Sequence, residues 1–74
     1  MRLEIPDIKY IAQDANGRVF GYTAEPTHQD YGAFHATGHV TVLAHGRCNP
    51  DWGSTLVCLE SDSYDYDDGI LKRL

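Results

Sequence analysis

The dipeptide Asn16-Gly17 constrains this chain more than any other feature, because it separates two β-prone runs, IKYIAQDA over 8–15 and RVFGYTA over 18–24. Asn-Gly is the pair that best meets the positive φ angles of a type I′ turn, so the sequence predicts a β-hairpin with a two-residue loop. Such a loop sets the register: Ala15 opposite Arg18, Gln13 opposite Phe20, Ile11 opposite Tyr22 and Tyr10 opposite Thr23. Directly opposed residues share a face. The predicted register therefore puts Ile11, Phe20 and Tyr22 in one apolar patch, and Ile8, Tyr10, Ala12 and Val19 with Gly21 on the other. Neither face is polar, so the second also needs a cover, from the chain itself or from a partner.

The remainder of the chain carries strand signals of varying strength. From 34 to 45, Val40, Val42 and Ala44 alternate with His39, Thr41, Leu43 and His45, which predicts a strand with one half-exposed face. Residues 46–53 read as a turn-rich loop containing Asn49-Pro50, Trp52 and Gly53. The run TLVCLE at 55–60 is apolar and rich in β-formers, as a buried central strand would be. The segment 69–74 predicts a last strand or a short helical turn. Nothing keeps a period of about 3.6 residues for long, and no repeat or linker divides residues 1–74. The expected architecture is a single small domain, mainly β, with a compact antiparallel sheet of about four or five strands and at most a short helical turn.

At 74 residues there is room for one thin core. Such cores rarely supply more than about 3–5 kcal/mol, so a disulfide, a metal or a partner subunit is a natural supplement. Cys48 and Cys58 are too few to form a disulfide framework and are expected to be thiols. The opening residues mix charge and proline with the apolar ones, unlike a signal peptide, and no apolar run approaches a membrane span. A cytoplasmic location with no membrane partner is expected.

The net charge of −5 is not spread evenly. Glu60, Asp62, Asp65, Asp67 and Asp68 lie within residues 60–68, and the other six acids balance the six Lys and Arg. The excess therefore sits on one segment, which argues against direct nucleic-acid binding and favours a basic protein surface. Tyr64 and Tyr66 alternate with these carboxylates. Tyrosines offer large contact area at low entropic cost, and the carboxylates add charge complementarity. The strip formed by Glu60, Asp62, Tyr64, Asp65, Tyr66, Asp67 and Asp68 is thus the candidate partner-binding site, with nucleic-acid mimicry as one form of it. The alternative is a homodimer closed through Ile8, Tyr10 and Val19 on the second hairpin face.

Metal and catalytic constellations are weaker. His35, His39, His45 and Cys48 imitate zinc-ligand spacing, but residues four apart on a strand lie roughly 13 Å apart. Exposed or hydrogen-bonded histidines account for the pattern better, and no cofactor is expected. The run Asp65-Tyr66-Asp67-Asp68-Gly69 lacks the glycine at position 6 and the glutamate at position 12 that a calcium loop requires. Cys58 lies in an apolar run, where thiols usually pack. Cys48 beside His45 is the one plausible reactive thiol, and there is neither a nucleophile elbow nor a phosphate loop. So thin a chain has little scope to enclose a substrate, and no enzymatic activity is expected.

Residues 11–22, Ile-Ala-Gln-Asp-Ala-Asn-Gly-Arg-Val-Phe-Gly-Tyr, carry the pattern I-A-x-D-x-x-G-x-V-x-x-[YF]. With Pro26 closing the segment and Trp52-Gly53-Ser54-Thr55-Leu56 and Asp68-Gly69 following, the chain resembles a class of small bacteriophage and prophage proteins of unassigned function. The resemblance implies a phage accessory protein in a bacterial cytoplasm. By analogy with other small acidic phage proteins, it also implies one that binds and inhibits a host or defence protein.

Overall fold

The computed structural model describes residues 7–28, 32–36 and 38–74. The first six residues and Gln29, Asp30, Tyr31 and Thr37 lie outside the described residues, so the reading of the N-terminus as no signal peptide lies outside them as well. Within that range the chain is mainly β, and its strands are β1 (Tyr10–Gln13), β2 (Arg18–Tyr22), β3 (Thr27–His28), β4 (Phe34–His35), β5 (Val40–His45), β6 (Val57–Cys58), β7 (Tyr64–Asp67) and β8 (Ile70–Arg73). A 3-10 turn at Trp52–Ser54 is the sole helical element among the described residues. Four strands form one antiparallel sheet in the order β5-β2-β1-β6, while β3-β4 and β7-β8 are separate two-stranded ribbons.

The first hairpin forms, with a different turn and a register one residue from the predicted one. Tyr10 faces Tyr22, Ile11 faces Gly21, Ala12 faces Phe20 and Gln13 faces Val19. The loop holds three residues: Asp14 N donates to Arg18 O at 3.0 Å, and Gly17 N donates to Asp14 O at 2.9 Å. Gly17 is left-handed at φ 97° and Asn16 is not, which is a type I turn followed by a glycine bulge rather than a type I′ turn. Tertiary bonds hold this geometry. Asn49 N donates to Ala15 O, Ala15 N to Gly32 O, and Gly46 N to Gly17 O.

A one-residue slip exchanges the faces. On one side, Ile11 and Val19 join Val57 and Leu71 in a buried cluster edged by Ile8 and Ala44. On the other, Ala12, Tyr22 and Phe34 are buried, with Tyr10, Phe20, Ala36, Trp52 and Leu56 packed around them. The β7-β8 ribbon, through Leu71, covers the first face. The β4 residue Phe34 and the 3-10 turn's Trp52, whose rings meet edge to face at 5.6 Å, cover the second. Both faces of the central hairpin are thus closed by the chain's own ribbons.

Three other expectations change. The strand predicted over 34–45 is two strands, β4 and β5, and the start of β5 is held by Thr23 N donating to His39 O and His39 N donating to Thr23 Oγ1. The run at 55–60 supplies only β6, which lies at a sheet edge rather than at its centre. The acidic segment, for which the sequence predicts no strand, contains β7. The Asp-Gly pair that ends it forms a tight hairpin, with Asp67 opposite Ile70 and φ of 54° at Asp68 and 77° at Gly69. These are the two positive φ angles of a type I′ turn.

Candidate functional site

The tyrosines of the acidic segment sit over a groove built by a register shift in one strand pair and by the regular alternation of another. Between Val19 and Phe20 the register of β2 against β5 shifts, because Val19 faces Ala44 while Phe20 faces Val42. Leu43 is the extra residue, and such a bulge re-aims the side chains beyond it. Simple alternation would group Ala44 with Val40 and Val42; instead Ala44 packs with the Ile11 cluster and Leu43 turns to the same side, its Cδ1 lying over Gly21. On the β7-β8 ribbon, Tyr66 faces Leu71 and Tyr64 faces Arg73, so both rings leave on the side that carries Leu71. Val19, Leu43, Ala44, Tyr64, Tyr66 and Leu71 thereby line a cleft of about 330 Å³. Its rim is exposed: Leu43 at 50%, Tyr64 at 47% and Tyr66 at 40%.

The carboxylates of the strip do not share that face. Strand alternation sends Asp65 and Asp67 to the opposite side of the ribbon, where they sit across from Lys72 and Ile70. Asp62 Oδ2 accepts the Cys58 N–H at 3.0 Å, closing the turn after β6. Asp68 Oδ2 accepts from Arg47 Nη1 at 2.8 Å in an exposed ion pair. Glu60 is exposed. The strip is therefore two surfaces, an aromatic-aliphatic cleft and an acidic back, with the Asp68 charge answered by Arg47.

The three residues read as a dimer face are separated by the register. Val19, only 4% exposed, and Ile8 belong to the face under the β7-β8 ribbon, whereas Tyr10 packs on the other side of the sheet. The zinc constellation is dispersed as well: His35 is on β4, His39 precedes β5, His45 ends β5 and Cys48 lies in the exposed loop after it. Six residues of extended strand hold His39 and His45 about 20 Å apart. Among the described residues no group of three or more His, Cys, Asp or Glu is placed to hold a metal ion. Also among the described residues, no helix is long and apolar enough to cross a membrane.

The residues that position the cleft include three that sequence reasoning passed over. Gln13 is fully buried. Its Nε2 donates to Gly17 O at 2.7 Å and Gly69 O at 2.8 Å, while its Oε1 accepts from Leu71 N at 2.8 Å and Asn49 Nδ2 at 2.9 Å. Asn49 Nδ2 also donates to Leu71 O, and its Oδ1 accepts from Asp51 N. Thr55 Oγ1 accepts from Gln13 N at 2.9 Å and donates to a backbone carbonyl, with the Trp52 and Gln13 oxygens at 2.7 and 3.1 Å. One side chain on β1 thus ties the first hairpin's turn to the second's and to the loop between them. The one available signal was a glutamine inside an otherwise apolar strand, a residue that must find partners if it is buried.

Asp14, buried just past β1, is the other missed group. Its Oδ1 accepts from Phe34 N at 3.2 Å. Burial pushes its carboxyl above the ordinary aspartate value, against the opposing pull of the Phe34 N–H and the Arg18 charge. Burial, and secondarily the nearby Asp14 charge, also raises the Tyr22 hydroxyl. No family model matches the chain, and no curated protein or solved structure is significantly similar to it.

Proposed function

We propose that this protein is a non-catalytic interaction module whose docking face is the cleft between β5 and the β7-β8 ribbon. The observation that carries this reading is the exposure of Leu43, Tyr64 and Tyr66 together around an apolar floor of Val19, Ala44 and Leu71. Large apolar side chains gathered on an exposed surface are what an interface anchor looks like, and tyrosine is enriched among the residues that dominate binding energy. Asp65 and Asp67 on the back of the same ribbon, with the exposed Glu60, give this end of the molecule a negative field that steers a basic partner toward it. The resemblance of residues 11–22 to phage and prophage proteins adds the rest of the proposal: an accessory protein in a bacterial cytoplasm that binds and modulates a host or defence protein.

The test compares capture from bacterial lysate by the unaltered chain and by a Tyr64→Ser, Tyr66→Ser double variant. Both rings are substantially exposed, so the double variant is expected to keep its thermal midpoint within a few degrees while losing the retained protein. A fold that is intact and a partner still held at equal yield would sink the proposal.

A second reading has its own observation. β5 ends the sheet, carries no Lys, Arg, Asp or Glu, and exposes Val40 at 48% and Val42 at 48%. An uncharged edge of six residues is a template for another strand, so a homodimer, if it forms, pairs through β5 rather than through Ile8, Tyr10 and Val19. Sedimentation of the unaltered chain against Val42→Lys decides it, because a lysine on a paired edge disperses the dimer.

A further inference from the structure

On the sheet face away from the tyrosine cleft, Asp14, Phe20, Tyr22, Phe34, Ala36 and Val40 line a second pocket of about 180 Å³. Three of its six walls are aromatic. Phe20 and Tyr22, two apart on β2, have ring centroids 6.4 Å apart and planes at 47°, so they form an open wedge. The Phe34 ring is held edge-on against Trp52 at 5.6 Å and cannot swing away without breaking that contact. At the wall sits a carboxylate, Asp14, that is 8% exposed and accepts a backbone hydrogen bond from Phe34.

We propose that this pocket binds an alkylammonium group, the charged end of a lysine side chain or of a methylated amine. Aromatic faces attract a cation through their quadrupoles, most strongly where water is excluded, and a buried carboxylate supplies the counter-charge. The size points the same way. About 180 Å³ is smaller than the roughly 300–1,000 Å³ of pockets that enclose whole small ligands, and it suits one head group entering from the open side. Burial raises the Asp14 carboxyl, which marks a negative charge that the fold itself leaves undercompensated. Arg18, across the hairpin loop, offsets part of that charge from the solvent side. The site stands apart from the cleft and does not depend on the docking proposal.

The experiment is a titration followed by amide and aromatic NMR shifts, with choline and its uncharged isostere 3,3-dimethylbutan-1-ol as the two probes. Choline is expected to saturate shifts at Asp14, Phe20 and Phe34, with the alcohol at least tenfold weaker. Asp14→Asn keeps an oxygen to accept from Phe34 N, so the fold survives; it should weaken choline at least tenfold and leave the alcohol unchanged. Phe20→Leu, at a half-buried position, provides the second variant and should also weaken choline several-fold. Equal binding of the two probes, no saturation by choline, or choline binding indifferent to both variants overturns the proposal. Peptides carrying lysine or trimethyllysine then separate the sources. A peptide tighter than choline identifies a partner's side chain, and choline tighter than either peptide identifies a free amine.

Discussion

Two hairpins in this molecule turn on nearly the same dipeptide, Asn16-Gly17 and Asp68-Gly69, and they turn differently. At Asp68-Gly69 both residues take positive φ, 54° and 77°, and the strands join through the two-residue loop that such a pair favours. At Asn16-Gly17 only the glycine does so, and the loop takes in Ala15. The local preference is similar in the two places; the surroundings are not. β7 is exposed along its whole length, and the second turn lends other segments a single backbone atom, Gly69 O, which accepts from Gln13 Nε2 and Arg47 N without lengthening the loop. The first loop lends its backbone to other segments at Ala15 N, Ala15 O and Gly17 O, and those bonds are met only in the longer loop. Intrinsic turn preference thus decides an exposed ribbon, while tertiary hydrogen bonds override it where the ribbon is the core.

The sharpest way to break this comparison is to remove the group that couples the two turns. Gln13→Leu leaves the buried Leu71 N–H without a partner and takes one bond each from Gly17 O, Gly69 O and Asn49 Nδ2, which keep Gly46 N, Arg47 N and Leu71 O. At about 1–3 kcal/mol for the orphaned N–H and about 1 kcal/mol for each of the three lost bonds, the loss reaches about 4 kcal/mol, as much as a core this size supplies. The variant is expected to lose its NMR dispersion at 25 °C; a dispersed, cooperatively melting Gln13→Leu would show that the node is dispensable.

The next effect sets one turn against the other. A Cβ at Gly17 would lie 2.5 Å from Gly46 O and 2.6 Å from Arg47 C, both backbone atoms, at φ 97°. At Gly69 it would meet the Arg47 side chain at 2.7 Å and Arg47 N at 2.9 Å. Gly17→Ala should therefore cost about 3 kcal/mol and Gly69→Ala about 1–2 kcal/mol, read as shifts in urea midpoint at constant slope. The reverse order would mean that the exposed ribbon, not the first hairpin, holds the fold.

The smallest effect concerns pH. Because the Asp14 carboxyl titrates higher in the folded chain than in the unfolded one, folding favours its protonated form. Its contribution is fully present below the ordinary aspartate value, about 3.9, and is lost as pH rises through the raised folded value. The stability of the unaltered chain minus that of Asp14→Asn should accordingly increase from pH 7 toward pH 4, measured by urea midpoints. A difference that stays flat or falls on acidification contradicts the burial of that charge.

Much of the architecture was legible beforehand, for reasons that particular residues make plain. Alternating β-formers around Asn16-Gly17 and over 40–45, and the absence of any helical period, specify an antiparallel β domain with at most a short helical turn. The acidic segment was harder. Its alternation of tyrosine with aspartate before Asp68-Gly69 is a hairpin signal, but a strand with no buried residue lacks the apolar pattern by which strands are usually recognised. Of the candidate site, Tyr64 and Tyr66 were visible as exposed aromatics. Leu43 was not, because a bulge, which no local rule required, turns it into the cleft.

From its sequence alone this protein is a β domain in which the central hairpin has apolar residues on both faces and the acidic excess is confined to residues 60–68. Those properties follow from residue type and spacing, which act within a few residues. The structure alone decided which face each residue occupies, since a register slip of one residue costs little locally yet exchanges every side chain. That choice was made by Gln13, Asn49 and Thr55, whose polar groups, once buried, can be satisfied in one arrangement of loops that are far apart in the chain.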